Sequence, residues 1–398
     1  MAPHQARCTG QASERGQVPG SGVTAYFVRH DPYYARRGLY GHDGDGYTDN
    51  DRRFVLLSRA ALELMGALGL EPDVVHAHDW HAAAVPVYLD TLYRKNAGAR
   101  NPASFLTIHN MQQQGVFDKA LMDVLEIGWE HFHFRDMEFF DRVNLMKGGI
   151  VYANYVTTVS PRYAWEIQTT EQGMGLQETL RLHDHKFGGI LNGIDFESWN
   201  PLTDTHIHHP YGPGSLPDKA HNKTALRQRL GLAQDNKPLI AVVSRLDAQK
   251  GVELIRHAIL HGLDRGAQAV LLGSAQEPVL DAYFRVLKRE TDAHPDCHLE
   301  LAYDEDLAHQ IYAAADIMVI PSVYEPCGLT QMIAMRYGVV PVARRVGGLA
   351  DTVFDANHSD KPFEERNGYV FDDLTPEALE SALDRALGLW FDYPEYFR

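Results

Sequence analysis

The chain has 398 residues, 44% hydrophobic and 23% charged, which is long enough for two domains of ordinary size with large cores. Its 37 basic and 53 acidic residues give a net charge of −16, which disfavours nucleic acid and anionic membranes and favours a neutral polymer as partner. Three dispersed cysteines, Cys8, Cys297 and Cys327, indicate neither a disulfide framework nor a structural zinc site and are typical of a reducing compartment. The chain has no apolar run of about 18 residues. Residues 1–20 lack the apolar core of a secretion signal and are expected to be disordered.

The first half alternates between the two periodicities of strand and helix. Strands are predicted at residues 25–28, 73–77 and 104–108, and an amphipathic helix at 53–68. A helix is expected through residue 92, a helical region rich in Phe and Met is expected after the third strand, and residues 143–159 indicate a helix followed by a strand. This alternation predicts a parallel, doubly wound α/β sheet whose ligands collect at the carboxyl ends of the strands.

The Gly and Pro content of residues 188–217 predicts a change of domain, so we assign residues 21–205 and 206–398 to two Rossmann-like domains. A helix at residues 219–230 opens the second domain. The strands predicted after it lie near residues 239–243, 269–272, 298–301, 317–320 and 339–342.

The most informative stretch is PSVYEPCGLTQMIAM, residues 321–335, which follows a short apolar strand. Pro321 and Pro326 disfavour helix on either side of Glu325, and Gly328 allows the backbone to turn into a helix that begins near Leu329. The N–H groups at such a helix start favour an anion, and the adjacent carboxylate suits the sugar of a nucleotide sugar. The alternative is that Glu325 is a solvated loop acid and Gly328 an ordinary turn residue.

The segment EPCGLTQMIAMRYG, with VGGLADTV after it, resembles the nucleotide-binding half of the bacterial and plastid ADP-glucose-dependent glycogen and starch synthases. The resemblance extends from about residue 24 to 373. It implies the two-domain GT-B fold with an active-site cleft between the domains, and transfer of glucose from ADP-glucose to the non-reducing end of an α-1,4-glucan with retention of configuration. It also implies that no metal or other cofactor is used, and a cytoplasmic location in a bacterium or a plastid location in a plant or alga.

The resemblance implies catalytic roles for four residues: Glu325, Arg245, Lys250 and His109. The segment SRLDAQKG would supply Arg245 and Lys250 as a diphosphate clamp, although an isolated pair of this kind is more often surface charge. The residues implied to bind substrate are Asp79, Asn110, Asn192, Asp195, Tyr303, Cys327, Gly328, Leu329 and Thr330. Tyr303 would stack on adenine, with half-buried packing as the alternative. We interpret Cys327 as a small packing residue and not as a nucleophile.

The segment HAHDWH also admits a zinc site made of His76, His78 and His81, which we disfavour because a strand-to-helix turn spreads the three side chains over two geometries. In the family, Asp79 lies near the acceptor and His109 contacts the donor glucose. The pair Gly347-Gly348 is a glycine-rich loop before a helix and, by itself, a weak signal that an ordinary turn would explain.

Two departures from the family pattern bear on activity. Nothing before residue 24 supplies the strand and the Lys-x-Gly-Gly-Leu loop with which the family's first domain opens, and the chain ends at Arg398, before the family's final helices. The chain is therefore expected to be truncated at both ends and to be a poor catalyst. The alternatives are a UDP-glucose-using sister enzyme and an inactive or glucan-binding fragment. A dinucleotide oxidoreductase is disfavoured because no G-x-G-x-x-G follows a strand.

Overall fold

The computed structural model describes residues 13–42, 45–94 and 102–394, and the chain forms two compact units. The first unit comprises Met1–Thr158 and Ile167–Gly188, and the second comprises Val159–Glu166 and Gly189–Arg398. The change of unit thus comes earlier than residue 205, where the sequence analysis placed it. The reason is visible at Trp199, whose ring stacks on His309 of the second unit with 4.0 Å between ring centroids.

The elements up to residue 189 are, in chain order, β1 (Ser13–Gln17), β2 (Thr24–Val28), α1 (Asp31–Tyr34), β3 (Gly41–His42), β4 (Asp45–Gly46), α2 (Asn50–Ala67), β5 (Val74–His78), α3 (Asp79–Ala82), α4 (Ala84–Tyr88), a π-helical turn (Leu89–Tyr93), β6 (Ala103–Ile108), β7 (Val116–Asp118), α5 (Leu121–Leu125), β8 (Glu138–Phe139), β9 (Arg142–Asn144), α6 (Leu145–Tyr152), β10 (Tyr155–Thr158), α7 (Pro161–Glu166), α8 (Gln177–Leu182) and β11 (Phe187–Gly189).

The described part of the N-terminal segment contradicts the expected disorder. β1 pairs with β2 in antiparallel register, with Ser13 opposite Val28, and the N–H of Val18 donates to the carbonyl of Val23 across the turn. The turn contains Gly20 at a φ of +72°, a conformation that glycine adopts without strain. Residues 1–12, where the same expectation was made, lie outside the described residues.

The main sheet of the first unit has the strand order β11-β10-β6-β5, and the β5/β6 and β6/β10 pairs are parallel, as predicted. The prediction of a helical region after β6 is wrong. That region contains the short α5 and an antiparallel sheet of order β7-β9-β8. Phe140 and Asp141 both have positive φ between β8 and β9, a turn that reverses the chain and that a helix cannot contain.

The elements of the second half are α9 (Lys219–Leu230), β12 (Leu239–Val243), α10 (Val252–Asp264), β13 (Gln268–Leu272), α11 (Pro278–Thr291), β14 (Cys297–Glu300), α12 (Glu305–Ala314), β15 (Ile317–Ile320), α13 (Thr330–Arg336), β16 (Val340–Arg344), α14 (Gly347–Thr352), β17 (Tyr369–Phe371) and α15 (Pro376–Asp392).

The sheet of the second unit is parallel throughout, with the strand order β14-β13-β12-β15-β16-β17. Apolar cores cover both of its faces, which explains why β15 is buried at every position. The strand order reverses between β12 and β15, and in open α/β sheets ligands bind outside the carboxyl ends of the strands at such a point. None of the helices in the described ranges has the length and apolar character needed to cross a bilayer.

Candidate active site

The loops that follow β12 and β15 bring a cation and a carboxylate together at the point where the strand order reverses. Nζ of Lys250 lies 2.6 Å from Oε2 of Glu325, and Oγ of Ser322 donates to the same oxygen over 2.9 Å. The two charged side chains are 18% and 8% exposed, and they line a small cavity with Ser244 and Thr330. The structure therefore places Lys250 and Glu325 in direct contact.

A glycine fixes the distance between these two loops. Gly251 ends the turn that carries Lys250, has a φ of +70°, and lies so close to Pro321 that an added Cβ would be 2.1 Å from the proline carbonyl oxygen. Next to it, the N–H of Val323 donates to the carbonyl of Gln249 over 2.8 Å. Because any side chain at position 251 would push the loops apart, glycine is what allows the Lys250–Glu325 contact.

The Gly347-Gly348 pair packs directly on the backbone of the Glu325 loop. The N–H of Gly348 donates to the carbonyl oxygen of Glu325 over 3.0 Å, and a Cβ on Gly348 would lie 2.1 Å from the carbonyl oxygen of Cys327. The N–H of Gly347 donates to both carboxylate oxygens of buried Glu166, at 3.1 and 3.0 Å. No sequence signal marked Glu166 as part of this site, and the glycine pair by itself was only a weak signal that an ordinary turn would explain.

The turn into α13 is held by a side chain that the sequence analysis also missed. Nε2 of Gln331 donates to the carbonyl oxygens of Cys327 and Gly328 at 3.0 and 2.9 Å. Gly328 has a φ of +73°, and Leu329 and Thr330 follow it at the start of the helix. Cys327 is buried, and its burial raises the pKa of the thiol. The thiol therefore has little thiolate character near neutral pH.

Two of the residues expected to bind the nucleotide are open to solvent at the same edge of the sheet. Arg245 follows β12 with its side chain 69% exposed and 3.3 Å from Asp247. Tyr303 follows β14 and is 84% exposed, so the half-buried packing considered for it is wrong. An exposed guanidinium and an exposed aromatic ring at the carboxyl ends of strands are both accessible to a ligand.

The NGID turn contributes one residue to this loop and uses another within itself. The backbone of Asn192 lies close enough to the Cys327 thiol to lower its pKa against the larger, opposing effect of burial, which places Asn192 near the Glu325 loop. Asp195 instead accepts the N–H of Glu197 at 2.8 Å and the hydroxyl of Ser198 at 3.0 Å, and these contacts lower its pKa. The contacts of the Asp195 carboxylate are those of a turn residue.

In the first unit, the carboxyl ends of β5 and β6 bring Asp79, His109 and Asn110 together. Oδ1 of Asp79 accepts the backbone N–H of His109 at 2.7 Å and that of Asn110 at 3.4 Å. Asp79 has a φ of +55°, and its burial raises the pKa of the carboxyl group against the opposing effect of these hydrogen bonds. Nε2 of His109 lies 3.0 Å from Nδ1 of His78. The carboxylate therefore positions the backbone that carries His109.

The three histidines of HAHDWH do not converge on one point. The ring of His81 packs against Phe54, with 4.6 Å between centroids, and burial lowers its pKa to about 4. Nε2 of His76 instead contacts Oγ1 of Thr107 at 2.7 Å. His78 lies beside His76 and His109. These separate environments argue against the zinc hypothesis for this segment.

Comparison with known proteins gives the family. The family model described as the starch synthase catalytic domain matches residues 4–182, and the model described as glycosyl transferases group 1 matches residues 222–397. Glycogen synthase 1 of Nitrosococcus oceani is 50% identical over 95% of this chain and 77% of its own length. Glycogen synthase 2 of Methylococcus capsulatus is 49% identical over 95% of this chain and 78% of its own length.

The solved catalytic domain of starch synthase IV from Arabidopsis thaliana, bound to ADP and acarbose, is 41% identical, with a TM-score of 0.91. The match covers 97% of this chain and 79% of that one. With two Rossmann-like units, a cation–carboxylate pair where the strand order reverses, and these relatives, the chain belongs to the glycogen and starch synthase family of GT-B glycosyltransferases.

Proposed function

We propose that this family member transfers glucose from ADP-glucose to the 4-OH at the non-reducing end of an α-1,4-glucan, with retention of configuration, in the cytoplasm. The observation that carries the proposal is the pairing of Lys250 with Glu325 at the point where the parallel sheet reverses its strand order. A nucleotide sugar needs a cation for its diphosphate and a carboxylate for its sugar hydroxyls within a few ångströms of each other. This pair supplies both.

We assign the diphosphate to Lys250 and Arg245, the adenine ring to Tyr303, and the phosphate nearest the sugar to the backbone of Gly328–Thr330. Arg245 and Tyr303 support this by their exposure on the carboxyl edge of the sheet. A guanidinium binds phosphate oxygens bidentately, whereas an ammonium acts as a point charge. Two cations beside the leaving diphosphate stabilise its developing charge, so the proposal involves no metal or other cofactor.

We assign the glucose hydroxyls to Oε1 of Glu325, because two donors already hold Oε2. Cys327 is not the nucleophile in this proposal, since its burial disfavours the thiolate. Attack by the acceptor hydroxyl from the face that the diphosphate leaves, with the departing phosphate taking the proton, gives retention without an enzyme nucleophile. Asn192 would contact the sugar as positive charge develops on it.

The residues around Asp79 are assigned to the sugar and glucan. The Asp79 carboxylate fixes the backbone of His109 and Asn110, and we propose that this orients the His109 ring for contact with sugar hydroxyls. The net charge of −16 is compatible with a neutral glucan as acceptor.

The test measures incorporation of labelled glucose into glycogen from ADP-glucose and, in parallel, from UDP-glucose. We expect incorporation from ADP-glucose that falls by about 10²- to 10³-fold in Glu325→Gln. The matched control is Glu290→Gln, which alters an exposed glutamate of α11 and should leave the rate unchanged. Faster transfer from UDP-glucose would identify the sister activity, and glycogen binding without transfer from either donor would identify a glucan-binding protein.

A further inference from the structure

Helices α10 and α15 carry four complementary side chains on facing turns, His257 and His261 on one and Glu380 and Asp384 on the other. Nε2 of His257 lies 2.8 Å from Oε1 of Glu380, and Nδ1 of His261 lies 3.5 Å from the same oxygen. The three possible ligand atoms of His257, His261 and Glu380 all lie within 4.8 Å of one another. Two imidazoles and a carboxylate are therefore directed at one small volume.

These separations suit zinc. With Zn–N and Zn–O bonds of about 2.0–2.2 Å and tetrahedral angles, ligand atoms are about 3.3 Å apart. The Glu380 oxygen lies 2.8 and 3.5 Å from the two histidine nitrogens, which brackets that value. Binding would displace the proton shared by Nε2 of His257 and Glu380, and side-chain rotation would bring the three atoms, which lie within 4.8 Å of one another, to bonding distance from one ion. Two histidines and one carboxylate also form a ligand set that zinc uses in other proteins, with water in the fourth position.

Asp384 favours the tautomer of His261 that can bind a metal through Nδ1. Oδ1 of Asp384 lies 2.7 Å from Nε2 of His261, so the carboxylate holds the ring proton on Nε2 and leaves the lone pair on Nδ1, the nitrogen that faces Glu380. Metal-binding histidines commonly donate their other ring N–H to a carboxylate in this way. An opposing charge comes from Arg265, whose Nη2 donates to Oδ2 of Asp384 at 2.6 Å and whose Nε lies 3.4 Å from Nε2 of His261, farther than the 2.7 Å between that nitrogen and Asp384. It neutralises Asp384 and not Glu380, so the ligand carboxylate keeps its charge.

The backbone positions of the ligands are fixed by the core beneath them. Ile255, Ala258 and Ile259 of α10 are buried in the same apolar cluster as Leu379 and Leu383 of α15. The site lies above this cluster at the edge of the helix pair. The side chains of His257 and Glu380 are 34% and 36% exposed and that of His261 is 12% exposed, which leaves a path for an ion and a water.

We propose that His257, His261 and Glu380 bind one zinc ion, with water as the fourth ligand, and that the ion cross-links α15 to α10. The site is separate from Lys250 and Glu325, so the proposal does not depend on the donor or on the glucosyl transfer reaction. Its effect is on the stability of the second unit.

The experiment uses the full chain, stripped with EDTA and dialysed. Zinc binding is measured by competition with a colorimetric chelator, and thermal unfolding is measured with and without Zn²⁺. His257→Ala and His261→Ala should each lose one bound zinc or weaken its binding at least tenfold, and lose the zinc-dependent rise in melting temperature. Glu380→Gln should also weaken zinc binding and lose the zinc-dependent rise in melting temperature. It should not disturb the fold, because its amide oxygen can still accept a hydrogen bond from His257.

The matched control is His206→Ala, because His206 pairs with a single carboxylate, Asp306, at 3.2 Å. It should bind zinc like the parent chain. Cobalt substitution adds a readout of the ligand type, since cysteine-bound cobalt has an intense sulfur-to-metal absorption that a site of histidine and carboxylate lacks. The proposal would be overturned if the parent chain, His257→Ala and Glu380→Gln had equal zinc affinities and equal melting shifts. A thiolate absorption in the cobalt spectrum, or the absence of zinc binding by the parent chain, would also overturn it.

Discussion

The ammonium of Lys250 lies 2.6 Å from the carboxylate of Glu325, and both side chains are largely withdrawn from water. The charge assigned to the diphosphate and the charge assigned to the sugar thus neutralise each other before any ligand binds. Removing one partner of a buried pair leaves the other charge uncompensated, whereas removing both does not. Single substitutions at this site therefore affect stability as well as activity, and the two effects have to be measured separately.

The Lys250→Met variant should lose about 3–5 kcal/mol of unfolding free energy, because it leaves the Glu325 carboxylate buried without a counter-charge. The double variant Lys250→Met/Glu325→Gln should lose clearly less unfolding free energy than Lys250→Met. Both the single and the double variant should be inactive. Urea unfolding of the full chain measures the difference. The control Lys361→Met removes an exposed pair with Glu365 and should change stability by less than about 1 kcal/mol. Additive losses in the double variant would contradict the pairing.

Arg245→Ala should weaken ADP binding by about 10- to 100-fold, as expected for loss of one charge-assisted contact to phosphate, without changing thermal stability. The reason for the unchanged stability is that the Arg245 side chain is 69% exposed. Calorimetric titration of the full chain with ADP measures the affinity. Arg285→Ala, which removes another exposed arginine paired with an aspartate, is the control. Equal affinities in the two variants would remove Arg245 from the nucleotide site.

Gly348→Ala should lower stability by about 1–3 kcal/mol and reduce glucosyl transfer more strongly than stability. Its Cβ would lie 2.1 Å from the carbonyl oxygen of Cys327, and the loop that carries Glu325 would have to move. Gly388→Ala, in the interior of α15 with open space around the Cβ, should be neutral or stabilising. Retention of full activity in Gly348→Ala would show that the exact position of this loop does not matter.

Cys327→Ser should retain activity within a few-fold of the parent chain, because the raised pKa keeps the thiol protonated and excludes a nucleophilic role. For the same reason, native Cys327 should react with iodoacetamide much more slowly than in the urea-unfolded chain. Mass spectrometry follows the alkylation and would also detect a glucosyl adduct. Such an adduct on Cys327 would refute the assignment.

The pH dependence of stability in the Asp79→Asn variant tests whether the Asp79 carboxyl group is buried in the first unit. Burial raises the pKa of Asp79 in the folded chain, so the folded state holds this proton more tightly than the unfolded state. Its contribution to stability therefore falls as pH rises through the folded pKa, and ionised Asp79 is destabilising at neutral pH.

Asp79→Asn removes that cost, and asparagine also tolerates the positive φ at this position. The stability of the variant relative to the parent chain should thus be higher at pH 7 than at pH 4 in urea unfolding. Asp118→Asn is the control, since Asp118 also accepts a backbone N–H but is exposed. If the difference in unfolding free energy between Asp79→Asn and the parent chain does not change with pH, Asp79 is not buried as described.

The sequence predicts the second unit more closely than the first. The strands β12 and β15 were predicted with the bounds they have because an apolar run is a local signal. The helix α9 was also predicted with its observed bounds, and in the structure it ends at Gly231, which has a φ of +70°. Contacts between segments distant in sequence have no such signal. The packing of Gly348 on Cys327 and the contact of Glu166 with Gly347 could therefore not be predicted.

The segment Val159–Glu166 belongs to the second unit although the residues on both sides of it belong to the first. The chain therefore passes between the units after Thr158, after Glu166 and after Gly188, and no single cut in the gene separates two complete halves. A piece beginning at residue 206 would lack both Glu166, which accepts the N–H of Gly347, and Trp199, which stacks on His309. Split-gene expression of this protein would have to supply residues 159–166 together with the C-terminal piece.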